Sequence, residues 1–80
     1  MKITKDFIRA LQPGEVVMAV CKTAAQLDSI YRLAMDVRSE GEDRTELAVS
    51  RGATTLTAVI RRNVLFGEED SRLTRTVFAD

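Results

Sequence analysis

Residues 23–41 read TAAQLDSIYRLAMDVRSEG, and this stretch decides the fold. Thr23 and Gln26 have the spacing of a capping box, in which a hydroxyl and an amide side chain satisfy free backbone N–H groups where a helix begins. Apolar residues then recur at helical spacing, at Leu27, Ile30, Tyr31, Ala34 and Val37. Gly41 is a residue type that often follows a helix. The stretch therefore predicts an amphipathic helix over residues 24–40, whose apolar stripe must pack on a second layer.

The segments around this helix have the patterns of a second, shorter helix and of β-strands. Residues 3–11 predict a short helix that is capped by Thr4 and ended by Pro13-Gly14. Residues 16–21 are apolar at every position, which predicts a central strand that is covered on both faces. Residues 45–51 and 54–62 alternate between apolar and polar side chains around Gly52, which predicts a β-hairpin.

The last eighteen residues, 63–80, carry weaker signals. Residues 73–78 alternate only partly, so this part predicts either a final edge strand or a tail that becomes ordered against a partner. The fold class is therefore α+β, a small α-β-α-β-β domain with one amphipathic helix packed on a three-stranded sheet. The sheet has four strands if the C-terminal segment pairs. At 80 residues, the chain is interpreted as one domain over residues 1–80.

The composition excludes most catalytic chemistries. The chain has one cysteine, Cys21, and no histidine, so it lacks the parts of a disulfide, a histidine-based catalytic pair or a structural zinc site. Its four glycines are scattered and form no phosphate-binding loop. The acidic run at residues 68–70 does not have the spacing of a calcium loop. We therefore predict that the protein is not an enzyme and has no cofactor or metal, and that Cys21 is a buried apolar residue.

Charge and hydropathy set limits on location and partners. Twelve basic and twelve acidic residues give a net charge of zero, without the basic excess of a DNA-coating protein. No apolar run approaches the roughly 18 residues that a membrane-spanning helix requires, and the first residues lack the pattern of a signal peptide. A lone cysteine fits a reducing compartment. These features predict a cytoplasmic protein that does not bind membranes.

Two surfaces are candidates for binding. The first is apolar and consists of Leu65, Phe66, Val77 and Phe78. These residues either complete the core or form a patch for a protein partner, which includes a second copy of the chain. The second is basic and consists of Arg51, Arg61 and Arg62, which a hairpin could gather into a phosphate-binding patch. Against the basic surface, the acidic residues 68–70 are close enough to neutralise it, and the strands lack aromatic residues for base stacking.

The order of segments over residues 13–62 resembles small accessory proteins of bacteriophages and mobile genetic elements. Pro13-Gly14-Glu15 introduces a strand, residues 23–26 open an amphipathic helix, and a hairpin rich in serine and threonine ends in basic residues. The resemblance implies a regulatory or inhibitory protein that occupies the surface of a larger machine, and it transfers no site residues. The sequence thus favours a non-catalytic protein-interaction module. Nucleic-acid binding through the basic hairpin is the alternative.

Overall fold

The structure is a computed structural model that describes residues 1–43, 45–52 and 54–80. Within these residues, the chain forms two helices and four strands: α1 (Lys5–Arg9), β1 (Val16–Val20), α2 (Ala24–Glu40), β2 (Leu47–Arg51), β3 (Thr57–Arg62) and β4 (Thr74–Phe78). The strands form one mixed sheet in the order β2-β3-β1-β4. The predicted α+β class is confirmed, and the C-terminal segment supplies the fourth strand at one edge of the sheet.

The long helix α2 has the predicted bounds. The Thr23 hydroxyl accepts a hydrogen bond from the Gln26 backbone N–H at 3.1 Å. The Gln26 side chain accepts from the Lys22 N–H at 2.7 Å, one residue further upstream than in the usual capping box. Gly41 follows the helix with an extended backbone (φ −79°, ψ 150°), so the helix ends without the left-handed conformation that usually explains a glycine there.

The strand β1 lies inside the sheet, as predicted. It pairs with β3 in an antiparallel arrangement and with β4 in a parallel arrangement along its whole length. The predicted hairpin is present, because β2 and β3 are antiparallel neighbours. Since β3 lies between them, β1 and β2 are parallel but do not touch, which makes β1-α2-β2 a split βαβ unit.

A tight turn over residues 12–15 leads from α1 into β1. The Glu15 N–H donates to the Gln12 carbonyl at 2.9 Å, and Gly14 has a φ of +83°. Proline followed by a residue with positive φ is the pattern of a type II turn. The turn also contacts the C-terminal connection, because the Ser71 N–H donates to the Pro13 carbonyl at 2.9 Å. The start of β1 is thereby tied to the segment that leads into β4.

The two helices cover one face of the sheet. Val17, Ala19, Ala58 and Ile60 point to this side and are completely buried. They form one core with residues of both helical segments, namely Ile3, Ile8, Leu11, Leu27, Ile30 and Ala34. The alternate residues of β1 point the other way and are only half-buried. The prediction that β1 is covered on both faces is therefore wrong for the described residues.

Candidate functional site

The most unusual surface is the sheet face that points away from α1 and α2, which we call the open face. The strand register places eleven side chains on it: Ala48, Ser50, Thr57, Val59, Arg61, Val16, Met18, Val20, Thr74, Thr76 and Phe78. Only Arg61 is charged, although 30% of the residues in the chain are charged. A sheet face that meets water normally carries polar and charged side chains. The open face therefore has the composition of a surface that is covered by something.

Most apolar residues of the open face lie on its two inner strands, β1 and β3. Met18 lies between Val59 on β3 and Thr76 on β4, and it is half-buried by its own neighbours. One row further along β1, Val20 lies beside Phe78, which is 68% exposed. The face contains no acidic residue among its eleven members. It thus has an apolar centre around Met18 and Val59, while threonine, serine, Ala48 and Phe78 lie on its edge strands.

The structure does not bring together the four residues of the predicted apolar surface. Val77 is buried in the core beside Ala19, whereas Phe78 points to the open face. Leu65 is half-buried, and Phe66 is fully exposed at a turn in which the Glu68 N–H donates to the Leu65 carbonyl at 3.0 Å. This turn follows β3 and lies near the opposite end of the sheet from Phe78. Phe78 alone of the four belongs to the open face.

The three arginines of the predicted basic surface are also separated. The Arg51 guanidinium lies 2.6 Å from Asp28 and stacks over the Tyr31 ring, with 4.3 Å to the ring centroid. At the other end of the hairpin, Arg62 turns inward. It donates to the Leu11 carbonyl at 3.0 Å, and it forms ion pairs with Glu46 at 3.1 Å and Glu68 at 3.3 Å.

Arg61 differs from these two, because it points to the open face and forms no ion pair with residues 1–43, 45–52 or 54–80. The hairpin therefore presents one unpaired arginine rather than a cluster of three. Asp28 on α2 neutralises Arg51, and Glu46 and Glu68 neutralise Arg62.

A groove lies at the end of the open face where β1 begins. It has a volume of about 380 Å³ and runs between the end of β3, the start of β1 and the connection that precedes β4. Arg61 and Asn63 line one side, and Asp70, Arg72 and Thr74 line the other. Arg72 has a φ of +53°, and its N–H donates to the Asp70 carboxylate at 2.9 Å. Sequence reasoning missed Arg72, because an arginine between Ser71 and Leu73 gives no signal of this backbone conformation.

A second cleft, of about 220 Å³, lies between α1, the end of α2 and the start of β2. Two hydrogen bonds join the Arg9 guanidinium to both carboxylate oxygens of Glu40, at 2.9 and 2.6 Å. Arg9 thereby holds the pKa of Glu40 below its usual value. Arg62 and Glu46 form another ion pair in the same cleft. These ion pairs neutralise one another and join α1, the end of α2 and the start of β2 across the cleft.

Cys21 is buried, with an exposed fraction of 6%. Burial raises the pKa of its thiol, which is opposite to what a thiolate nucleophile needs. Among residues 1–43, 45–52 and 54–80, no three histidine, cysteine or acidic side chains are arranged to hold a metal ion. In the same part of the chain, no helix combines the length and apolar character that a membrane crossing requires.

Comparisons with known proteins identified no relative of this chain. No protein family matches the sequence, and no curated protein and no solved structure matches it either.

Proposed function

We propose that this protein is a non-catalytic protein-interaction module, and that the open face is the surface that its partner covers. One observation carries the proposal: the uncovered side of the sheet is apolar at its centre and has a single charge among eleven residues. Core regions of protein interfaces are depleted of charged residues in this way. Phe78 and Met18 are large side chains of the types that are enriched at such interfaces.

The regulatory context of the proposal comes from the sequence. The segment order that resembles phage and mobile-element accessory proteins supports a chain that regulates or inhibits a larger machine by occupying its surface. A role without catalysis agrees with a sequence that lacks histidine and has only one, buried cysteine. The alternative of nucleic-acid binding through the hairpin loses its main support, because Arg51 and Arg62 are held by carboxylates.

The proposal is tested by blocking the open face. Met18→Lys places a charge at the centre of the face. Thr76→Lys does the same from a neighbouring exposed position that takes no part in the core. Ser29→Lys is the matched control, because it adds the same charge on the exposed side of α2. Each tagged protein is incubated with a nuclease-treated native extract of its source cells, and retained proteins are identified, purified and tested for direct binding.

We expect a protein that binds wild type and Ser29→Lys directly and does not bind either open-face variant. Circular dichroism would establish that the variants remain folded. If the same proteins bind Met18→Lys and Thr76→Lys as strongly as wild type, or if no protein binds wild type directly, the proposal is wrong.

A further inference from the structure

The six described arginines outside α2 divide into two groups according to their partners. Arg9, Arg51, Arg62 and Arg75 each form at least one ion pair with a carboxylate. Arg61 and Arg72 form none with any of the described residues. These two line the same groove at the end of the open face. The chain therefore keeps two unpaired cations together beside its apolar surface.

The groove also contains one carboxylate, that of Asp70. One oxygen of Asp70 accepts the Arg72 backbone N–H at 2.9 Å, and the same side chain lies against Gly14. The Arg62 guanidinium also borders the groove, but its hydrogen bonds go to Leu11, Glu46 and Glu68. Since Arg61 and Arg72 are two unpaired guanidinium groups against one carboxylate, the groove has a net positive charge.

A second copy of the chain does not satisfy this arrangement. If two open faces stacked on each other, each Arg61 would be buried against a face that has no acidic residue, and burying an unpaired charge is costly. The area is also small. Four strands about 4.8 Å apart and five residues of about 3.3 Å give a face of roughly 15–20 Å on a side, or roughly 300 Å². A standard interface between two folded proteins buries about 800 Å² of accessible surface on each partner, so a face of this size suits a short segment better than a second folded copy.

Nucleic acid does not suit the surface either. Its backbone would meet only two unpaired arginines at one end of the face, next to an apolar centre and in a chain of zero net charge. Phosphate contacts need several cations to give useful affinity. Phe78, the one aromatic residue on the face, lies at the end opposite to the groove.

We infer that the open face binds a protein segment that is apolar along its length and carries an aspartate or glutamate whose carboxylate pairs with Arg61 and Arg72. The apolar side chains of the segment cover Met18, Val59 and Phe78, and its carboxylate enters the groove. Arginine suits this role because its planar guanidinium can give a carboxylate two parallel hydrogen bonds. About five extended residues, or about three turns of helix, span the face. The inference rests on the proposed function, because it specifies the partner of the same surface.

The test uses a display library of random 14-residue peptides, selected on the immobilised full chain. Selected peptides are synthesised in pairs, one with its acidic residue and one with the corresponding amide, and their dissociation constants are measured by fluorescence anisotropy. Both are measured on wild type, Arg61→Gln and Arg72→Gln. Arg32→Gln is the control, because Arg32 is an exposed arginine on α2, away from the groove.

We expect acidic peptides to bind wild type and Arg32→Gln at least tenfold more tightly than their amide counterparts. Arg61→Gln and Arg72→Gln should weaken binding of the acidic peptide about tenfold and reduce the difference between the two peptides. Met18→Lys and Thr76→Lys should abolish binding of both peptides.

The outcomes separate this inference from the proposed function. If the acidic and amide peptides bind equally but Met18→Lys and Thr76→Lys abolish binding, the open face is a binding surface and the inference about the carboxylate is wrong. If no selected peptide is affected by the open-face variants, both are wrong. Two further results would overturn the inference. One is binding of a fluorescein-labelled 20-nucleotide DNA, single-stranded or duplex, that is lost in Arg61→Gln. The other is a dimer in light scattering that Thr76→Lys dissociates.

Discussion

Gly14 and Gly67 both have a left-handed backbone, with φ of +83° and +89°, but their surroundings differ. A side chain at Gly14 would overlap the Asp70 carboxylate, whereas a side chain at Gly67 would meet open space. Asp70 also accepts the Arg72 N–H, so Gly14 supports the backbone that carries Arg72 into the groove. The position of Arg72 in the groove therefore depends on Gly14, a residue that has no side chain.

Gly14→Ala should therefore cost more stability than Gly67→Ala. An L-residue in the left-handed region costs about 1–2 kcal/mol, which applies to both substitutions. Gly14→Ala additionally displaces Asp70 and removes a hydrogen bond worth about 1 kcal/mol, giving a total of about 2–3 kcal/mol. Urea unfolding followed by circular dichroism measures both. If both variants lose the same amount of unfolding free energy, Asp70 does not constrain the residue at position 14.

At the scale of elements, the helix α1 illustrates how a short segment is held. It has five residues, too few to be stable in isolation. Ile8 and Leu11 anchor it in the core, with exposed fractions of 2% and 1%. On the surface, the Arg9 guanidinium joins it to Glu40 at the end of α2, and Lys5 adds a weaker contact to Asp36 at 3.7 Å.

The Arg9–Glu40 pair predicts a specific dependence on pH. Because Arg9 lowers the pKa of Glu40 in the folded state, the stabilising effect is present above the ordinary value of 4.5 and is lost as the pH falls through the lower folded value. Glu40→Gln should therefore lower the melting temperature at pH 7 and have a much smaller effect near pH 3. Glu42→Gln is the control and should have little effect at either pH. An equal effect of Glu40→Gln at both pH values would contradict the assignment.

The sequence predicts those elements that local patterns define. The bounds of α2 follow from the spacing of Leu27, Ile30 and Ala34, and the hairpin follows from alternation around Gly52. Local patterns do not report which segments meet. For this reason, the parallel pairing of β4 with β1 and the inward turn of Arg62 towards Glu46 were not predictable. The apolar residues of β1 indicated an inner strand, but their identity does not tell whether a second layer covers them.

At the scale of the whole molecule, the two faces of the sheet have different roles. Val17 is completely buried under the helices, whereas its neighbour Val16 is half-buried on the open face. Both are valines of the same strand, so they have the same intrinsic preference for β-structure. Val17 is therefore part of the core, whereas Val16 belongs to the face that we propose for binding.

Substitution of these two valines by threonine measures the difference directly. Threonine keeps the β-branched shape but adds a hydroxyl, which costs about 1–3 kcal/mol when it is buried without a hydrogen bond. Val17→Thr should cost about that amount, and Val16→Thr should stay within about 0.5 kcal/mol of wild type. Thermal and urea unfolding give both values. A loss at Val16 as large as that at Val17 would mean that the open face contributes to folding as much as the core does.

The open face also has a consequence for how quickly a cell degrades the protein. Under the proposed function, molecules synthesised in excess of the partner keep their apolar surface in contact with water, where they are exposed to the chaperones and proteases that remove incompletely buried chains. If the open face binds a protein as proposed, we expect the steady-state amount of this chain to follow the amount of that protein. Unbound copies should be degraded faster than bound copies, so the amount of the bound protein should determine the amount of this chain.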